Sequence, residues 1–212
     1  MSGLHAEITG ARVEQYAASP SLNLRLRLSD EDNRRIDTIA LKMQVQIDPR
    51  KRGYTADEQA KLVELFGEPG RWGETLRTVH WTHISVIVPP FTGTTEVDIP
   101  IPCTYDFEVA SSKYFDALED GEIPLLLLFS GMLFSKAETG FSAEMVPWHL
   151  ECSYRMPAQL WRDAMNQFFP NQAWIRIRKD TFDELYRFRT QHALLSWEDT
   201  VTKLLESSGQ RV

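Results

Sequence analysis

The feature that most constrains this chain is a strict two-residue alternation in its first third. Leu22, Leu24, Leu26 and Leu28 alternate with Asn23, Arg25 and Arg27. After the polar stretch SDEDNRR, Ile39, Leu41, Met43, Val45 and Ile47 alternate with Ala40, Lys42, Gln44 and Gln46. Successive side chains of a strand point to opposite faces, so each run reads as a strand with one apolar and one wet face. A polar turn between two such strands predicts that they pair antiparallel.

The residues around them extend the β reading. His5 to Val13 is an earlier strand, and Trp81 to Val88 another, stopped by Pro89-Pro90. Val97 to Val109 is strand material that Pro100 and Pro102 confine to an edge or a bend. Ile123 to Phe129, apolar throughout, predicts a fully buried strand, and Ser130-Gly131 a bulge or turn where it leaves the core. Phe141 to Met145, Trp148 to Tyr154 and Ala173 to Arg178 are shorter strand candidates.

Helices come mostly later. Thr55 and Glu58 have the spacing of a capping box, with Leu62, Val63 and Phe66 as an apolar face and Gly67 as a stop. Ala110 to Leu118 predicts a short helix. Pro157 begins one carrying Leu160, Trp161, Ala164, Met165 and Phe168 on one face. Asp180 and Ser196 are N-cap candidates for the last two.

With 212 residues, 42% hydrophobic and six Trp, the chain can bury a sizeable core. Its net charge of -7 disfavours a nucleic-acid partner, which needs a basic surface. Between Gly93 and Met145 ten Asp and Glu stand against two Lys, an acidic segment that offers either a solvated face or a docking surface for a basic partner. Cys103 and Cys152, far apart, form neither a disulfide framework nor a zinc motif. The start, MSGLHAEITG, lacks the basic and apolar regions of a secretion signal, and Ile123 to Phe129 is too short to cross a bilayer. The expected location is the cytoplasm, without membrane insertion.

No nucleophile elbow, phosphate loop or dinucleotide fingerprint is present, so no catalytic residues and no cofactor are expected. His80 and His83 are the best metal candidates, although in a regular strand their imidazoles point to opposite faces. Asp106, Glu108, Asp116, Glu119, Asp120 and Glu122 do not have calcium-loop spacing and are read as partner-surface candidates. Arg50-Lys51-Arg52 reads as a solvated loop. Trp72, in a Gly-rich loop, is the candidate exposed aromatic anchor, whereas Trp161 and Trp197 sit on apolar helix faces.

The stretches GEPGRWGETLR, WTHISVIVPPFTGTTEVDIPIPCTYDFEV, KYFDALEDGEIPLLLLFSGMLF and VPWHLECSYRMPAQLWRDAMNQFFPN resemble a bacterial family of unassigned function. Its genes often lie beside those of a high-affinity nickel–iron (NiFe) hydrogenase and its maturation proteins. The resemblance covers almost the whole chain and implies a setting in hydrogenase assembly or support, with no site residues to carry over. The order of elements is also similar to the SecB-type export-chaperone layout.

The expected fold is α+β, one domain over residues 1–212. An antiparallel β-rich body, sandwich-like or SecB-like, spans 1–155 with a helix near 55–67, and a mainly helical 156–212 packs on it. The expected function is that of a non-catalytic accessory, assembly or chaperone-like protein acting through protein–protein contacts, with a hydrogenase component or maturation factor as partner. The alternative is a small metal-binding protein or enzyme using the acidic segment 93–145 or the His80/His83 pair.

Overall fold

In the computed structural model, which describes residues 3–104, 109–137, 140–170 and 176–209, the alternating runs are strands, but they do not pair with each other. The strands in chain order are β1 (Leu4–Val13), β2 (Ser21–Asp30), β3 (Arg35–Ile36), β4 (Thr38–Ile47), β5 (Val79–Val88), β6 (Phe91–Thr92), β7 (Thr94–Pro102), β8 (Glu122–Ala137), β9 (Gly140–Met145) and β10 (Glu151–Pro157). The helices are α1 (Ala56–Phe66), α2 (Trp72–Thr75), α3 (Ala110–Ala117), α4 (Ala158–Phe168), α5 (Lys179–Gln191) and α6 (Trp197–Ser207). The fold is α+β with a β-rich, antiparallel body, and the chain forms two compact units, residues 1–174 and 175–212.

In the first unit one sheet has the order β1-β2-β7 and the other β10-β8-β4-β5, with β9 added beside β8. Thus β2 pairs with β1 and β7, and β4 with β5 and β8; the expected β2–β4 hairpin is corrected. The reason is that both runs have an apolar face to bury. Placed in opposite layers, Leu22, Leu24, Leu26 and Leu28 share one core with Ile39, Leu41, Met43, Val45 and Ile47. Burying each such side chain is worth about 1.5–3 kcal/mol. The corner between the layers is pinned by ion pairs: the buried Asp30 carboxylate accepts from Arg34 N and Nη2, each at 2.8 Å, and Arg34 Nη1 also reaches Glu144 at 3.3 Å. The Arg34 hydrogen bonds hold the Asp30 carboxyl below its ordinary value.

β7 lies at a sheet edge, as its prolines require, and ends at Pro102; residues 105–108 of the predicted strand lie outside the described residues. Of the strand expected over 173–178, residues 176–178 are not in a strand and 173–175 lie outside the described residues. β8 is the longest strand, and β4 accompanies it in regular register from Leu125 to Phe134. On its other side the neighbour changes, from β10 along Glu122–Leu128 to β9 along Met132–Ala137. The switch falls at Ser130-Gly131: Phe129 N donates to Leu150 O and Val146 N to Gly131 O, both at 3.0 Å. The expected bulge is therefore an exchange of partners in an unbroken strand.

α1 starts in the predicted capping box, Thr55 Oγ1 accepting from Glu58 N and Glu58 Oε2 from Thr55 N. Glu58 does more than cap. Its buried Oε1 accepts from Arg52 Nη2 at 2.7 Å and from Glu119 N at 3.0 Å. Arg52 is thus enclosed, which corrects the solvated-loop reading at that position; Arg50 and Lys51 remain more open and face Asp48. Beside it, Tyr54 Oη lies 2.7 Å from Pro49 O and 2.8 Å from Tyr114 Oη, and burial pushes the Tyr114 phenol up to about 12. α4, with Trp161, Ala164 and Met165 buried, lies against β1, β2 and β10.

The second unit is a helical hairpin. Ser196 caps α6 in a capping box with Asp199, and α5 has Arg178 at its N-cap, two residues before the predicted Asp180 cap, which lies in the first turn instead. Arg189 closes the hairpin turn by donating to Leu194 O and Leu195 O, and its guanidinium lies 4.8 Å from the Trp197 ring centre. Phe182, Tyr186 and Trp197 group their rings and stay partly exposed. Among the described residues, no helix is long and apolar enough to cross a membrane.

Candidate functional site

The outer face of the five-stranded sheet is built by the residues that alternate with the core. Directly opposed positions place Ile87, Ala40, Met132 and Met145 in one row across β5, β4, β8 and β9. Phe134 and Ala143 extend it into the next row, and Phe141 stands opposite Lys136 beyond them. Met145 is 78% and Phe141 81% exposed, and Ile87 and Met132 are exposed as well. Toward the other end the face turns polar, through Lys42, Ser85, Gln44 and Gln46. Scattered apolar surface residues are ordinary; here Ile87, Met132 and Met145 are exposed and lie in one row of the sheet. Three residues past Met145, in the turn between β9 and β10, Trp148 is 92% exposed, its ring edge-on to His149.

Trp72, the predicted anchor, is only 8% exposed. Its Nε1–H donates to Gly67 O at 2.8 Å, and its ring meets Tyr54 and Phe66 edge-to-face. The Gly and Pro around it shape a tight turn that folds the indole inward, which corrects the exposed-anchor expectation. Trp148 carries that exposure instead. The strand expected from Trp148 begins only at Glu151, and the turn that takes the place of its first residues leaves the Trp148 indole in solvent.

The acidic segment does not make a continuous acidic face among the described residues. Glu96 pairs with Arg27, Asp98 with Arg12 and Arg25, and Glu144 with Arg34. Glu119 faces Lys61 at 3.4 Å, Glu122 faces Arg155 at 3.7 Å, and Asp120 Oδ1 accepts from Gly121 N. Asp116 is exposed on α3, and partial desolvation by the surrounding chain raises its carboxyl above the ordinary value. Asp106 and Glu108 lie outside the described residues. The segment is acidic in sequence because its basic partners come from elsewhere in the chain. Asp98 shows the effect most strongly, since hydrogen bonds from Arg12 and then Arg25 hold its carboxyl well below the ordinary carboxylate range.

His80 and His83 share a face, contrary to the regular-strand expectation. The ladder shifts between Val45 and Gln46, so Thr82 opposes Val45 while His80 opposes Gln46, leaving Trp81 as an extra residue. Trp81 packs inward against Phe115 and Trp161, and the two imidazoles come together on the outer face with ring centres 4.4 Å apart. Burial and then the neighbouring His83 lower the His80 pKa from its ordinary value. Among the described residues, no group of three or more His, Cys, Asp or Glu is placed to hold a metal.

Both cysteines are free thiols. Burial pushes Cys103 up to about 12 and Cys152 up to about 11, so the reactive thiolate is scarce at neutral pH. Native protein is therefore expected to react with a thiol reagent such as Ellman's far more slowly than urea-unfolded protein. Release of two equivalents at the free-cysteine rate from native protein would contradict this burial.

No curated protein matches the chain in sequence. Among solved structures, a β-glucosidase from Kluyveromyces marxianus aligns with 73% of the chain at 8% identity and a TM-score of 0.27. The aligned part is 15% of that enzyme, so the chain spans a small fraction of its length. A putative ApaA protein from Bordetella pertussis aligns over 74% of the chain and 95% of its own length, at 11% identity and a TM-score of 0.28. A family model, by contrast, matches residues 1–212 from end to end. The chain belongs to the family of unknown function DUF6084.

Proposed function

We propose that this protein is a non-catalytic accessory or assembly factor that works in the cytoplasm by binding another protein through the outer face of its larger sheet. The observation that carries the reading is the row of exposed Ile87, Met132 and Met145 about the half-buried Ala40, with Trp148 nearby in sequence. Apolar side chains held on a regular sheet lose little conformational freedom on binding, and a solvent-exposed Trp is the residue type most often dominant at such contacts. The gene setting implied by the family resemblance points to a NiFe hydrogenase subunit or maturation factor as the partner.

The test is co-purification, under gentle conditions, from a host that carries the hydrogenase gene cluster. Wild-type protein is expected to recover a cluster-encoded protein. Met145→Asp and Trp148→Ala are each expected to weaken that association by about 30-fold, the equivalent of about 2 kcal/mol at a dominant contact residue, with an unchanged unfolding midpoint. Recovery of no cluster-encoded protein, or unchanged recovery by both variants, would overturn the reading.

A further inference from the structure

We propose that His80 and His83 form an open two-imidazole site for a divalent transition-metal ion of the zinc or copper class on the edge strand β5. The backbone makes the pair. In a regular ladder two rings three positions apart would stand on opposite faces; with Trp81 bulged out of the ladder, both stand on the outer face, opposite Gln46 and Gln44 of β4. The bulge is held from the other side by the Trp81 indole, whose contacts with Phe115 and Trp161 fix it in the core.

The separation suits a shared ion. Metal–imidazole bonds are about 2.0–2.1 Å, and the ring centre lies about 1.1 Å behind the bound nitrogen, so two cis ligands place their ring centres about 4.5–5.2 Å apart. The observed 4.4 Å reaches that window by a small turn of the side-chain torsions. Among the described residues, neither imidazole makes a hydrogen bond or an ion pair, so no existing interaction must be broken. Both residues are exposed, and the strand bearing them is fixed by a ladder with β4 from Ile39 to Ile47.

With only two ligands from the chain, the remaining coordination positions stay open to water or to a donor atom from another molecule. Imidazole pairs favour copper over zinc in the usual divalent series, and carboxylate-preferring ions such as Mg²⁺ are poorly served. Such a site binds exchangeably and does not hold the fold together.

Full-length protein without a histidine tag, titrated calorimetrically with zinc chloride and separately with copper sulfate, tests this. One ion is expected per chain, with binding at least ~10-fold weaker in His80→Ala and in His83→Ala, each melting as wild type does. His5→Ala, His149→Ala and His192→Ala are expected to bind as wild type does. Absence of saturable binding of either ion to the wild type, or stoichiometric binding that survives both β5 substitutions, would overturn the proposal. So would loss of binding in His149→Ala alone.

Discussion

Gly131→Ala is expected to leave little or no folded protein. Gly131 has φ +140, a conformation that residues with a side chain rarely adopt. A Cβ added there would lie 2.0 Å from Ala40 O and 3.1 Å from Ala40 C. Those are backbone atoms of the neighbouring strand, so no flexible side chain can swing aside. Nor can the strands part locally, because β4 follows β8 in register on both sides of the contact. Relieving the clash would break the central ladder of the larger sheet, and the expected cost exceeds ~4 kcal/mol. Against a typical total stability of about 5–15 kcal/mol, that removes most or all of the margin. The measurement is soluble yield together with the circular-dichroism melt. Gly121→Ala is the control: φ is +82 there, but no atom lies within 4 Å of the added Cβ. That strain alone should cost about 1–3 kcal/mol. A Gly131→Ala protein melting within a few degrees of wild type would refute the packing described for β4 and β8.

The second large effect is expected at Glu58. Glu58→Ala removes a buried carboxylate that receives Arg52 Nη2, Glu119 N and Thr55 N. Arg52, whose side chain is 10% exposed, would be left charged without its partner. Breaking one side of such a pair costs about 3–5 kcal/mol, part of it the stranded charge and part the lost cap. Arg52→Ala should fall in the same range. Arg52→Met combined with Glu58→Leu should cost much less than the two single changes together, because no charge is left unpaired. Urea unfolding midpoints at constant slope measure all of these. A Glu58→Ala loss below about 1 kcal/mol would show that the pair is not enclosed.

At the same two positions, local sequence specifies one part of the structure and distant segments the other. Thr55-x-x-Glu58 identifies a helix start, because a capping box is made within four residues. That the Glu58 carboxylate also receives Arg52 and the backbone of Glu119 depends on a corner formed by distant segments, which no local pattern encodes. Ser130-Gly131 similarly signalled a break beside a buried strand. That the break is a change of neighbour from β10 to β9 follows from the path of three strands.

The candidate surfaces separate in the same way. The acids of residues 93–145 read as a charged face because their sequence neighbours are not basic, while Arg12, Arg25, Arg27 and Arg34 meet several of them across strands. Ile87, Met132 and Met145 are unremarkable in sequence, 13 or more residues apart, and become one row only when β5, β4, β8 and β9 lie side by side. The three-residue spacing of His80 and His83 is visible in the sequence, but their common face depends on one extra residue in the ladder.

By itself, then, the sequence determined the elements and their faces: the period-two leucines of β2, the alternation of β4, the capped starts of α1 and α6, and the edge position of the Pro-bearing β7. Those depend on backbone geometry and burial within a few residues. Tertiary structure alone decided that β2 and β4 face each other across the core instead of pairing, that Trp72 is enclosed and Trp148 open, and that two histidines share a face. Each of those depends on which distant segment supplies the neighbouring atoms, and an apolar face specifies only that it must be covered, not by what.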